Sequence, residues 1–346
     1  MPGRAKMEEI RRVCMRVGVS GYYGFQNAGD EAILEAIVQE IRARGHQTVV
    51  FSNNPSETAQ RYGVEAVKRT QPLEVWKALG KVDVLLSGGG GLLQDKTSRL
   101  SLWYYLTLIG LARRRGKPVY VFNQSLGPLS RGGESQVRRA LRGLPCYFRD
   151  EGSLEYGRSL GLEVHLGADP ALLLAPPPVE REPNMVVLVP KYGTEEANAN
   201  LHKLADRLRV EGYDVVILAL QPGFDEPVLE KFSSFTRELA WDPRRVSYLL
   251  AQAGYVISVR LHGAILAAAA GTPFAGIAYD PKVAGFCRDA GAVYLDMPGD
   301  PDLLASAVLT QRQPNWKAVE AMKARARTSF DQVLSSSRQG RVKSSR

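Results

Sequence analysis

The chain has 346 residues, 45% of them apolar, and a formal net charge of +9 from 45 Lys and Arg against 36 Asp and Glu. That length favours two domains over a single core. No run approaches the about 20 apolar residues that cross a bilayer, and the charged start lacks the pattern of a signal peptide, so a soluble, cytoplasmic protein is expected.

Much of the positive excess sits at the ends: residues 1–16 hold five basic against two acidic residues, and 338–346 hold four basic residues and no acid. Nucleic acid, an anionic membrane surface and anionic substrates all remain open as partners. Cys14, Cys146 and Cys287 are far apart and in no metal or redox spacing, so buried reduced thiols are expected.

From residue 13 a β-rich run, a glycine turn and an amphipathic stretch alternate. "VCMRVGVSG", "QTVVFSNN", "VDVLLSGGG", "KPVYVFNQSLG", "CYFRDE" and "EVHLGADPAL" read as strands, with helical spacing in "GDEAILEAIVQEIRARG" and "SLWYYLTLIGLARRRG". Nearly continuous apolar strands alternating with helices imply a parallel sheet covered on both faces. The proline-rich "APPPVEREP" at 175–183 reads as a linker, after which "NMVVLVPKYG", "DVVILALQPG", "YVISVRLHG", "PFAGIAYDP" and "AVYLDM" restart the pattern. The expectation is an α/β protein with two doubly wound, Rossmann-like domains facing a cleft. Its units are 13–176 and 183–312, followed by a C-terminal helix at 313–336 that packs back across the domains and a basic disordered tail at 337–346.

Four constellations fall where strands open toward such a cleft. In "GYYGFQNAGDEAIL", Gly24 belongs to a set of glycines that let the backbone approach a ligand, and Asn27 and Asp30 are candidate contacts at a helix start. In "LLSGGGGLLQD", Gly88, Gly89 and Gly90 form a cradle for an anion or polar sugar, with Gln94 beside them. In "CYFRDEGSLEY", Arg149 follows an apolar strand end and suits a carboxylate or phosphate. In "ISVRLHGAILAAAAGTPF", Arg260 and His262 alternate with Val259 and Leu261, which sends both side chains off one face of a strand end. Lys282, in a loop after the next strand, adds a third cation. Together Arg149, Arg260, Lys282 and His262 are expected to converge with few compensating acids, an arrangement for a small, highly anionic ligand. His165 and His202 show no partner pattern. No HExxH, paired-histidine or DxD-like motif is present, so neither a metal nor a cofactor is expected.

"GYYGFQNAGDEAIL", "SGGGGLLQD", "NQSLGPL", "FRDEGS", "GADPAL", "SVRLHGAILAAAAGTPF" and "YDPKVAGF", in this order over about 17–286, resemble the polysaccharide pyruvyl transferases, within them the CsaB type. The stretch "NQSLGP" departs from the Gly-Gln-Gly-Ile-Gly-Pro type common there, placing a serine at Ser125. The resemblance implies a GT-B-like architecture with the acceptor side, together with Arg149, in the first domain and the donor side in the second. It implies a transferase that moves a pyruvyl group from the co-substrate phosphoenolpyruvate to a sugar as a ketal, releasing phosphate. The implied acceptor is an N-acetylmannosamine unit of a secondary cell-wall polysaccharide, lipid-linked, whose product anchors S-layer proteins. Such an enzyme works in the cytoplasm or at the inner membrane face, with peripheral contact through basic termini. The resemblance makes Arg149, Arg260 and Lys282 the donor-site residues and His262 the catalytic histidine. Two other readings compete: a GT-B nucleotide-sugar glycosyltransferase and, on charge alone, a nucleic-acid-binding protein.

Overall fold

The computed structural model describes residues 14–96 and 98–344, and the side chains of those up to 337. The first half runs β1 (Arg16–Ser20), α1 (Ala28–Ala43), β2 (Gln47–Ser52), α2 (Pro55–Tyr62), β3 (Glu65–Lys68), α3 (Pro72–Lys81) and β4 (Val84–Gly88). It continues through α4 (Arg99–Arg114), β5 (Val119–Gln124), α5 (Arg131–Leu141), β6 (Pro145–Phe148), α6 (Glu151–Ser159) and β7 (Glu163–Leu166), ending in a 3-10 turn at Pro170–Leu173. The second half runs β8 (Glu182–Val189), α7 (Glu195–Val210), β9 (Asp214–Ala219), α8 (Glu226–Glu230), β10 (Thr236–Leu239), α9 (Pro243–Gln252) and β11 (Ala253–Ser258). After it come α10 (Leu261–Ala269), β12 (Phe274–Ala278), α11 (Pro281–Asp289), β13 (Val293–Asp296), α12 (Pro301–Leu309) and α13 (Trp316–Ser344).

The strands form two parallel sheets, ordered β3-β2-β1-β4-β5-β6-β7 and β10-β9-β8-β11-β12-β13. Both are doubly wound about a central strand, giving a two-domain Rossmann-like fold of the GT-B kind. Order reverses between β1 and β4 in one sheet and between β8 and β11 in the other, and ligands of such sheets sit beyond the carboxyl ends of the strands at these points. The central strands β1, β4, β5 and β11 are buried almost throughout, which is why their apolar runs are continuous rather than alternating.

Several expectations need correction. The short edge strands β3 and β10, EAVK and TREL, are missed because each is polar and half-exposed, carrying no apolar run. Strand β8 begins at Glu182, inside the stretch expected to be linker. The last helix does return to the first domain: Phe330 meets Phe122 edge-on at 4.7 Å, and Arg44 Nε donates to Asp331 Oδ1 at 2.8 Å. It continues to Ser344, however, so the tail expected from 337 is helical over most of its length, and 345–346 lie outside the described residues. Cys146 and Cys287 are buried free thiols as expected, but Cys14 is exposed. Among the described residues no helix is long and apolar enough to cross a membrane.

Candidate active site

Three helix starts and one strand end meet in a cavity of about 190 Å³ between the domains. From the first domain come Asn27, Gly29 and Asp30 at the start of α1, Gly91, and Arg149 just beyond β6. From the second come Arg260, Leu261 and His262 at the start of α10, and Tyr279, Asp280 and Lys282 around the start of α11.

Local chemistry fixes each start. Asn27 caps α1, its side-chain oxygen accepting from the amides of Gly29 and Asp30. Asp280 caps α11 by accepting from the Lys282 amide, with Pro281 in the first turn. Strand β11 ends at Ser258, whose hydroxyl donates to the Arg260 carbonyl at 2.6 Å, and Arg260 takes the cap position of α10 with no side-chain cap of its own. Arg260 and His262 therefore face the cavity from a helix start, not from the alternation of a strand, and Lys282 likewise lies in a helical first turn rather than a loop.

The four grouped cationic and proton-handling residues are brought together as expected, but not with few acids. Arg149, with its side chain only 6% exposed, donates from Nη1 to Asp169 Oδ2 at 2.6 Å and from Nε to Ser125 Oγ at 2.7 Å. Asp169, capping the 3-10 turn, also stands 3.6 Å from His262 Nε2, so one carboxylate faces the arginine of one domain and the histidine of the other. Burial pushes that carboxylate up, yet the adjacent His262 and Arg149 outweigh it and hold its pKa at about 2. Arg260 Nη2 donates to the fully buried Asp225 at 2.6 Å, and Asp225 in turn accepts from the amides of Tyr192, Leu220 and Gln221. The correction has a physical reason: cations this buried need counter-charges, and the partners come from distant loops. What remains open is directional, since the buried His262 Nε2 and Arg260 Nε make no hydrogen bond to protein.

Asp30 lines the same cavity. Desolvation raises its pKa to about 7, the nearby His262 charge pulling the other way. Lys282 is lowered by burial and then by Arg149. Of the glycines, Gly90 adopts φ +75°, and a methyl carbon there would stand 2.8 Å from Asp30 Oδ1, so its backbone lies against that carboxylate. Gly24 packs on Ser52 and Asn54, Gly88 on Phe122, and Gly89 on Ile33 and Tyr23, all outside the cavity lining. Gln94 is half-buried and does not line it either. His202 pairs with Asp206 along α7 and His165 stacks on Tyr147, both remote from the cavity.

Sequence reasoning missed Asp169 and Asp225, whereas Gly29, one of the glycines it set before α1, and Gly91, the last of the four-glycine run, do line the cavity. Gly29 is the informative one, because a side-chain carbon there would collide with the His262 ring across the domain boundary. Gly29→Ala is therefore expected to displace the imidazole and lower turnover by about tenfold or more, as small misplacements of catalytic groups do. Turnover kinetics together with a melting curve check this, a lowered melting temperature being expected as well because the clash reaches the His262 Cβ at 2.8 Å.

A family model described as polysaccharide pyruvyl transferase matches residues 27–281. No curated protein sequence matches the chain significantly. Among solved structures, a UDP-N-acetylglucosamine 2-epimerase of Listeria monocytogenes, itself described as putative, aligns with TM-score 0.63 at 13% identity, over 93% of this chain and 95% of that one. A glycosyltransferase of Rickettsia africae aligns with TM-score 0.57 at 10% identity over 93% and 94%, and MurG of Acinetobacter baumannii with 0.53 at 12% over 93% and 100%. At such identities these likenesses speak for the fold.

Proposed function

This chain belongs to the polysaccharide pyruvyl transferase family, and from that premise we propose that it transfers the pyruvyl group of phosphoenolpyruvate to two hydroxyls of a sugar, forming a ketal and releasing phosphate. The observation that carries the reading is the small cavity itself, in which Arg149, Arg260 and Lys282 surround a histidine whose Nε2 makes no hydrogen bond to protein. At about 190 Å³ it is smaller than the roughly 300–1,000 Å³ of pockets for drug-sized ligands, which suits a three-carbon phosphate ester better than a nucleotide sugar. A phosphate and a carboxylate on one small molecule match two guanidinium forks and an ammonium.

The reaction balances without an added oxidant or metal. One sugar hydroxyl adds to C2 as the methylene carbon takes a proton and becomes a methyl group; the second hydroxyl then displaces phosphate from C2. Of the two hydroxyl protons, one is accounted for in the methyl group and one in the released hydrogen phosphate. His262 delivers the proton to carbon, Asp30 receives one from the attacking hydroxyl, and the cations stabilise the departing phosphate. In the CsaB-type form of the reading, the acceptor is an N-acetylmannosamine residue of a lipid-linked secondary cell-wall polysaccharide at the inner membrane face, and the product anchors S-layer proteins.

Phosphoenolpyruvate is expected to raise the melting temperature of the protein, and UDP-N-acetylglucosamine to leave it unchanged. The reverse pattern overturns the proposal in favour of a nucleotide-sugar enzyme.

Asp30 sets the rising limb of the pH dependence. Because it must be ionised to accept a proton and its pKa lies at about 7, kcat/KM should rise with pH through that value, and Asp30→Asn should remove this limb along with most activity. The stability sign is opposite. A carboxyl whose folded pKa is raised above the about 3.9 of an unfolded chain stabilises the fold at low pH and loses that contribution as pH climbs toward 7. Asp30→Asn should thus melt higher than wild type at pH 8, the gap narrowing as pH falls toward 4.

A further inference from the structure

A second cavity, about 590 Å³, adjoins the first and shares Asp280 and Lys282 with it. Resting on the donor reading above, we propose that this groove is the acceptor subsite and holds a neutral, polyhydroxylated sugar ring against Glu151 and Asp289.

Three observations carry it. The groove opens between the domains: Lys96, Asp150 and Glu151 line it from the first and Arg288 and Asp289 from the second. A second substrate seated there reaches the donor cavity directly past Lys282, whereas two further large cavities among the described residues, at Glu35–Tyr248 and Arg16–Glu65, share no residue with the donor cavity.

Its electrostatics also differ from those of its neighbour. Four acids, Asp150, Glu151, Asp280 and Asp289, face three cations, Lys96, Lys282 and Arg288, so the lining does not call for a second polyanion. Asp150 and Asp280 are already engaged as helix caps, Asp150 also accepting from the Ser125 hydroxyl. Glu151 and Asp289 make no hydrogen bond or ion pair among the described residues, and burial followed by the charges of Glu151 and Asp150 raises the Asp289 pKa. Two carboxylates that line one groove of this size from the two domains can accept hydrogen bonds from vicinal hydroxyls, and the exposed Arg288 and Lys96 supply donors for ring or amide oxygens. Sugar hydroxyls held there present their oxygens toward the C2 carbon of a donor gripped beside Lys282.

The test uses saturation-transfer NMR on the full chain with the methyl glycosides of N-acetylmannosamine, N-acetylglucosamine, glucose and galactose, with phosphoenolpyruvate present. Wild type is compared with Ala284→Trp, which fills the groove from α11, and with the gentler pair Glu151→Gln/Asp289→Asn. Saturation of at least one glycoside in wild type is expected, with about tenfold or more loss of affinity in both variants, since each removes hydrogen bonds to charged groups or the space for them. The melting shift given by phosphoenolpyruvate should persist in both. Unchanged saturation in the double variant, or no glycoside saturating wild type while phosphoenolpyruvate still stabilises it, overturns the acceptor groove alone. Saturation that behaves as expected without any shift from phosphoenolpyruvate upholds the sugar site and removes the donor reading instead.

Discussion

His262→Ala is expected to lower acceptor-dependent phosphate release from phosphoenolpyruvate by about 10²–10⁴-fold, the range for removing a positioned proton donor. The ring sits in the first turn of α10, wedged against the Gly29 backbone of the other domain and 3.6 Å from Asp169, with Nε2 free of hydrogen bonds to protein. Facing the Asp169 carboxylate at 3.6 Å without a hydrogen bond of ordinary length, Nε2 remains able to exchange a proton with a ligand in the cavity. The loss should fall on kcat, and the melting shift given by phosphoenolpyruvate should survive, because Arg149, Arg260 and Lys282 still provide the charge. Phosphate-release kinetics beside thermal shifts separate the two effects, and a wild-type kcat would remove His262 from the chemistry.

Asp169→Ala is expected to destabilise the protein by about 2–4 kcal/mol, because it removes the closest counter-charge of the nearly buried Arg149 guanidinium and leaves only Asp150, 4.0 Å away. It also removes the carboxylate facing His262, so whatever protein survives should show a lowered kcat. Asp169→Asn should cost less, because its single amide oxygen still accepts from either Arg149 or the Ala171 amide, although not from both as the carboxylate does with its two oxygens. The sign with pH is the ordinary carboxylate one. With a folded pKa of about 2 against an unfolded value of about 3.9, the contribution of Asp169 is present above pH 4 and is lost as pH falls toward 2. Denaturant melts of wild type and Asp169→Asn should therefore converge in that window, and curves that stay parallel from pH 7 to 2 would show that the charge is not what holds Arg149.

The sheets were legible because central parallel strands are buried on both faces and announce themselves as runs such as VVILA and VLLSG. Strands β3 and β10 escaped because edge strands carry charge. The cationic side of the site was legible from strand ends: Arg149, Arg260, His262 and Lys282 all line one cavity. Its acidic side was not, since ion pairing joins residues with no local pattern between them, as Asp225 joins Arg260. Asp169 did leave a signal. The Asp-Pro of "GADPAL" is the signature of a capped turn, and a cap placed straight after a strand points at the same edge as the cleft. Asp30 showed the reverse: its place at a helix start was visible, but not its raised pKa, which arises from burial between two domains. Ser125 likewise gains meaning only in three dimensions, where its hydroxyl bonds both Arg149 and Asp150.

The most direct measurement is phosphate release from phosphoenolpyruvate by the wild-type protein, with and without a glycan bearing terminal N-acetylmannosamine, coupled to mass spectrometry of the glycan. The account predicts release that depends on the acceptor, equals the phosphoenolpyruvate consumed, and is matched mole for mole by a glycan carrying a pyruvyl ketal. Phosphoenolpyruvate left intact, with sugar transferred from a nucleotide sugar to the same glycan, would contradict it.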